Sequence, residues 1–196
     1  NIDNAWHHWA GTYDASNRVQ CLYRDGVLLA TNLADQDYQA SGSLHIGRAF
    51  DAAYFAGAID EVRIWNVVRT GAEIRQHLSH RLTGQESNLI GYWKFDEGAG
   101  ATAHDSTTNG GDGTLNGPQW TVSTIPPWGM ALSLDGTDDY VAITNFGSVM
   151  PTNEVTVEFW LRIITNKYDW PVIFGLNPDE TGNRFLAHVP SRYFYE

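Results

Sequence analysis

Two stretches of this 196-residue sequence gather Asp, Asn and Gly, and loops of that composition are what a calcium ion selects, since it takes about six to eight oxygens from carboxylates and loop carbonyls. The first combines Asp96-Glu97-Gly98 with Asp105 and the glycine-rich run Asn109-Gly110-Gly111-Asp112-Gly113. A structural Ca²⁺ is expected there, near Asp96 and Asp105, with Asp112 as a further ligand. The second holds Asp135, Asp138 and Asp139, from which Asp138 is taken as the candidate ligand. The competing use of the same residues is to stabilise tight turns through their own backbone, and Asp135-Gly136 is read that way. Sugar or protein binding would use loop aromatics, of which Tyr38, Phe50, Tyr54, Trp128, Tyr168 and Trp170 are available. Tyr168, Trp170 and Tyr54 are the expected ligand-binding residues. Tyr168-Asp169-Trp170 sets aromatics beside a carboxylate able to accept hydroxyl groups, although a hairpin packed on the domain edge would read the same.

Catalysis finds less support. Retaining glycoside hydrolysis needs two carboxyl groups about 5 Å apart, which a strand supplies from one face at i, i+2 or i+4. Glu158 stands alone between Val157 and Phe159, and the adjacent Asp60 and Glu61 are expected on opposite strand faces. His7 and His8 are likewise neighbours, while His77 and His80 form an i, i+3 pair on a short exposed helix without nearby acidic or Cys ligands. The chain is therefore read as a non-enzyme. Cys21 is its single cysteine, which excludes an internal disulfide and a Cys-based zinc cluster, and it is expected as a small buried strand residue.

Lys and Arg number 12 against 23 Asp and Glu, a net charge of −11 that argues against nucleic acid or an anionic membrane as partner. Residues 1–85 carry nine acids and seven bases, residues 86–196 fourteen and five, so the second half is where a divalent cation would find ligands. With 42% hydrophobic and 13% aromatic residues the chain can bury a core and is not a disordered acidic tail. No apolar run approaches the roughly 20 residues that span a bilayer. The opening Asn-Ile-Asp-Asn lacks an initiator Met and a signal-peptide pattern, and reads as the start of a mature or excised piece.

The elements that must carry these residues are mostly short strands of alternating aromatic and β-branched residues, separated by Gly, Asn and Asp. They are 7–13, 19–23, 27–30, 43–47, 55–65, 89–95, 131–134, 140–143, 155–163, 171–176 and 184–189. Asp25-Gly26 predicts a hairpin turn, because the pair tolerates positive φ. Thr70 with Glu73 three places later has the capping-box pattern, followed by Ile74 and Leu78, and predicts one short helix near 70–79. Many strands with one short helix predict an antiparallel β-sandwich, with Trp65, Trp93 and Trp160 in its core. Ile125-Pro126-Pro127-Trp128-Gly129 is the clearest breaker and a candidate linker, 125–130.

Several strings together resemble the bacterial laminin G-like domains of the concanavalin A-like lectin/glucanase superfamily. They are Trp6-His7-His8-Trp9-Ala10-Gly11-Thr12-Tyr13-Asp14, Leu22-Tyr23-Arg24-Asp25-Gly26, Ile59-Asp60-Glu61-Val62-Arg63-Ile64-Trp65-Asn66, Tyr92-Trp93-Lys94-Phe95-Asp96-Glu97-Gly98, Ala131 to Val141 and Val157-Glu158-Phe159-Trp160. The resemblance implies that the strand of Asp60 lies near Asp96, adding Asp60 to the candidate calcium ligands. It also raises hydrolysis, but the Glu-x-Asp-x-x-Glu strand of the glucanases is missing. The family's late elements come first here and its early ones last. Residues 1–124 thus correspond to the C-terminal portion of a laminin G-like sandwich and 131–196 to the N-terminal portion, of the same permuted domain or of a neighbouring one. The expected function is an extracellular, secreted or cell-surface, non-catalytic adhesion or lectin-like module, stabilised by Ca²⁺ and drawn from a repeat array. The alternative is a structural subunit of a filament or surface layer assembled head-to-tail by strand exchange. Expected partners are further copies of the chain or adjacent laminin G-like domains, carbohydrate, or a cell-surface protein.

Overall fold

The computed structural model describes residues 3–35, 37, 42–49, 53–125, 129–144, 146–164, 172–176 and 185–188. The chain forms β1 (Trp6–Asp14), β2 (Val19–Arg24), β3 (Val27–Leu33), β4 (Leu44–Ile46), β5 (Arg48–Ala49), β6 (Ala53–Tyr54) and β7 (Ala56–Trp65) before its helix, α1 (Gly71–His77). It continues with β8 (Leu89–Trp93), β9 (Thr102–Ala103), β10 (Gly113–Asn116), β11 (Gln119–Val122), β12 (Met130–Asp135), β13 (Tyr140–Ile143), β14 (Glu154–Ile163), β15 (Val172–Leu176) and β16 (Phe185–His188).

These strands make the expected antiparallel β-sandwich. The larger sheet runs β11-β12-β7-β14-β1-β2-β3, with β12 beside the first half of β7 and β8 beside its second half. The smaller runs β16-β15-β4-β13-β10-β9, and β5 pairs with β6 as a separate ribbon. Period-two alternation sends Val155, Val157, Phe159 and Leu161 of β14 into the inter-sheet core with Trp9 and Trp93. Asp25 and Gly26 turn β2 into β3 with φ of 53° and 71°, and a Cβ on Gly26 would lie 2.1 Å from Cγ of Arg75, so the turn glycine also seats the helix.

The two portions of the sequence are interleaved. β14 lies between β1 and β7, β12 pairs with β7, and β13 lies between β4 and β10. The expected linker joins hydrogen-bonded neighbours: Val122 of β11 stands opposite Met130 of β12, and the Ser123 N–H donates to the Gly129 carbonyl at 3.2 Å. Pro126, Pro127 and Trp128 lie outside the described residues.

Some positions differ from the reading of the sequence. Trp160 is part-exposed on the outer face, because its neighbours Phe159 and Leu161 take the core-facing positions of β14. Trp65 is buried in a satellite cluster with Leu82, Leu89 and Tyr92 outside the inter-sheet core. Cys21 is only half-buried, its Sγ 3.8 Å from Oγ1 of Thr31 on β3. β9, β10 and β11 fall where glycine and proline obscure alternation, and their pairing partners decide them.

Around Arg63 and Glu158 the outer face of the larger sheet is covered by α1 and its flanking segments. The capping box forms as predicted, with the Glu73 N–H donating to Thr70 Oγ1 and the Thr70 N–H to the Glu73 carboxylate. Ile74 is the helix's buried anchor. Beneath it two buried arginines stitch helix to sheet. Arg63 donates to the His77 and His80 carbonyls at 3.0 and 2.9 Å, satisfying acceptors that a helix end leaves open, and pairs with Glu61 at 2.8 Å. Arg69 pairs with the fully buried Glu158, donates to the Glu73 carbonyl at 2.8 Å, and lies 4.2 Å from the centre of the Trp65 ring. Its N–H donates to Thr156 Oγ1 at 2.9 Å.

Truncating Glu158 to Ala leaves Arg69 charged and unpaired, and is expected to cost about 3–5 kcal/mol in urea unfolding, whereas replacing both residues by apolar ones of similar volume restores most of it. Equal losses in the single and double variants would show that the pair is not the source.

Candidate functional site

Three carboxyl groups share the outer face of the larger sheet. Asp60 and Glu61 were expected on opposite faces, yet both point away from the core. Glu61 has φ of 53°, the register with β14 shifts beside it, and the core residues of β7 run Ile59, Val62, Ile64. A β-bulge therefore places two acids between consecutive core residues. Asp60, Glu61 and Glu158 have no solvent exposure, so no dissolved substrate reaches them in this arrangement. Burial opposes the charge of Glu158, but its contact with His8 and the guanidinium groups of Arg69 and Arg63 outweigh it and hold the carboxyl below its ordinary range. His8, also buried, is pushed down and kept neutral.

Asp60 is the opposite case. Oδ2 accepts the Ser123 hydroxyl at 2.7 Å, Oδ1 has no partner, and burial pushes the carboxyl up to about 8, with the charges of Glu61 and Asp96 adding to it. A carboxyl that keeps its proton at neutral pH is a weak cation ligand.

The other expected calcium ligands are engaged separately. Asp96 pairs with Arg81 and accepts the Met130 N–H. Asp105 accepts the Tyr92 and Thr107 N–H groups on one oxygen, and the Thr107 hydroxyl and the Gly111 N–H on the other, at 2.9–3.0 Å. It acts as the staple of the glycine-rich loop. Asp112 accepts the Asp105 N–H at 2.8 Å and contacts His104 at 3.0 Å. Among the described residues, the grouping compact enough for one cation is Asp135, Asp138 and Asp139, with one ligand atom of each within 4.8 Å of the others. Asp138 alone of the expected ligands belongs to it. Asp139 is buried, which with the charges of Asp135 and Asp138 pushes its carboxyl up, while the Asp135 N–H donates to it at 2.8 Å.

The smaller sheet presents a different outer face. Register sets Thr102, Thr114, Ala142 and His45 in one row across β9, β10, β13 and β4, with Asn116 opposite Tyr140 in the next. The alternate row, Leu115, Val141 and Ile46, faces the core. Thr102 and Thr114 are exposed, and Asn116, Tyr140 and Ala142 part-exposed. Tyr54 joins this face from the β5–β6 ribbon, its ring 6.5 Å from that of Tyr140, which also lies 5.1 Å from the His45 ring and 5.0 Å from the Arg48 guanidinium. Hydroxyls, an amide, a guanidinium and two phenol rings thus share one surface, with the Asp135–Asp139 turn running directly into Tyr140. Of the expected ligand-binding residues, Tyr54 is here, while Tyr168 and Trp170 lie outside the described residues. Tyr140 was missed because its alternation with Val141 and Ile143 marks only a strand, not which face is left uncovered.

Residues 2–75 match a laminin G family model described as the concanavalin A-like lectin/glucanases superfamily. The matched stretch spans β1 to β7 and enters α1, agreeing with the laminin G-like resemblance of those strands. No curated protein and no solved structure matches the chain. Among the described residues no helix is long and apolar enough to cross a membrane.

Because the folded-state pKa of Asp60 lies above its unfolded value, the folded state holds a proton that the unfolded chain has released between about pH 4 and pH 8. The stability this residue contributes is complete below that window and is lost as pH rises through it. Asp60→Asn keeps the shape and the Ser123 contact without the titration, so its stability relative to the parent should grow steadily from pH 4 to pH 8. A gap between the two urea midpoints that stays constant with pH would refute this role.

Proposed function

We propose that this protein is a non-catalytic, lectin-like binding module of a secreted or cell-surface protein, and that it takes carbohydrate on the outer face of the smaller sheet. The observation that carries the reading is the difference between the two outer faces. One is covered over Arg63 and Glu158 by α1 and an internal ion network; the other offers Tyr54 and Tyr140 beside Arg48, Thr114 and Asn116, with the buried His45 against Tyr140. Phenol rings present a flat apolar surface for a sugar face and a polar edge for its hydroxyls, and the flanking groups fix orientation, as polar groups do in binding sites generally. The match to a superfamily described by its lectins and glucanases agrees with a carbohydrate ligand. A module complete in one chain is favoured over strand exchange between subunits by β14, which finds its place between β1 and β7 of its own chain.

The test is affinity electrophoresis against a panel of soluble polysaccharides, followed by titration with the one that retards the parent. Tyr54→Ala and Tyr140→Ala should each weaken binding about tenfold at unchanged unfolding midpoint. Retardation by no polysaccharide, or full binding by both variants, would overturn the assignment.

The calcium part of the reading rests on Asp135, Asp138 and Asp139, whose mutual repulsion a divalent ion would relieve. Millimolar Ca²⁺ should raise the melting temperature of the chelator-treated protein, and Asp138→Asn should abolish that rise. Identical melting in Ca²⁺ and in chelator would remove the ion from the proposal.

A further inference from the structure

The end strand of the larger sheet has the makings of an interface. Among the described residues β3 pairs only with β2, which leaves the donors and acceptors on the other side of its backbone without a strand partner there. Natural sheets guard such an edge with charge, proline, a bulge or a cover. β3 reads Val-Leu-Leu-Ala-Thr-Asn-Leu, without charge or proline, and its sole device is the bulge at Leu29, which stands extra between the pairs Leu22–Ala30 and Tyr23–Leu28. Among the described residues six large apolar side chains are more than half exposed, and four of them, Val27, Leu28, Leu29 and Leu33, lie on this strand. Scattered apolar residues on a surface mean little, but four on one open edge form a patch with hydrogen-bonding capacity attached.

We infer that β3 is a self-association edge, pairing antiparallel with β3 of a second copy about a twofold axis to give a dimer in which the two larger sheets are continuous. Charge selects the second copy as occupant. A chain of net charge −11 repels itself over most of its surface, yet β2 and β3 together contain one charged residue, Arg24, and no acid. Along 27–33 itself two copies meet without opposing carboxylates, Asp25 and Asp35 lying beyond the ends of the strand. The strand is also its own match in length and polarity, and a twofold contact sets eight aliphatic side chains, four from each chain, side by side across the junction. The other end of the sheet makes a poorer partner. β11 has four residues, a single exposed aliphatic side chain in Val122, and a neighbour in the loop at Gly100, whose carbonyl accepts the Trp120 indole N–H at 3.1 Å. A β3–β11 junction would leave most of the apolar edge uncovered and would propagate without limit, whereas the β3–β3 contact closes at two. The inference is independent of the carbohydrate reading, since β3 and the tyrosine face belong to different sheets. If both hold, the dimer presents two sugar-binding faces.

The experiment is sedimentation velocity on the 196-residue protein between about 1 and 100 μM. Expected is a monomer that converts with concentration to a species of twice its mass and goes no further. Leu28→Lys/Leu33→Lys should remain monomeric throughout, with the parent's urea midpoint at the lowest concentration, while Val122→Lys should dimerise like the parent. Hydrogen exchange supplies a readout that needs no variant: amides of residues 27–33 should gain protection at the higher concentration. A parent that stays monomeric, species growing beyond the dimer, a lysine variant that still dimerises, loss of the dimer in Val122→Lys, or exchange at 27–33 indifferent to concentration would each overturn the inference.

Discussion

A carboxylate without contact with water lies in the middle of the larger sheet, and the architecture around it follows from the need to neutralise it. Glu158 on β14 would be intolerable as an isolated ion in that environment. Its cation is Arg69, 89 positions earlier in the chain. The same residue makes four further contacts: its backbone N–H on Thr156, its guanidinium on the Glu73 carbonyl and on His77 Nδ1, and its face on Trp65. One side chain thereby fixes the segment after β7, the start of α1 and the strand beneath them. Arg63 repeats the arrangement at the far end of the helix, taking two carbonyls there and Glu61 below. The helix has only seven residues and could not persist alone, so its position is owed to these contacts and to Ile74.

The consequence at the level of the domain is an asymmetry between its faces. A sandwich has two outer surfaces, and here one is spent on holding the helix, with Trp65, Leu89 and Tyr92 packed out of reach of solvent. The acidic character of the protein is divided in the same way. Asp60, Glu61 and Glu158 are internal, and Asp105 is consumed by loop amides. Four of the 23 acids are thus structural, and the carboxylates left for outside partners are fewer than the composition implies.

How far the sequence discloses this depends on the range of the interaction. Features decided within a few residues are legible: the Asp25-Gly26 turn, the Thr70–Glu73 capping box, and the alternation that marks β1, β7 and β14. Features set by distant partners are not. The bulge at Glu61 reverses the expected separation of Asp60 and Glu61, and only the register with β14 reveals it. Alternation assigns Trp160 to a strand without saying which parity faces the core. For the candidate surface, Tyr54 stands out as an aromatic in a stretch read as loop. Tyr140, His45 and Arg48 gather round it through β13, β4 and β5, a convergence that pairing across the smaller sheet creates.

The placement of β14 also bears on when the protein acquires its shape. β1, β2 and β3 precede the other strands of this sequence, but among the described residues the strand pairing that connects them to β7 runs through a strand that ends at Ile163. A nascent chain stopped before that point holds a three-stranded meander and a separate β7 with no sheet to join them, and the carboxylate that Arg69 awaits has not been made. Assembly of the larger sheet is therefore a late event governed by contacts of high sequence separation, a regime in which folding is slow and unfinished edges stay open longest.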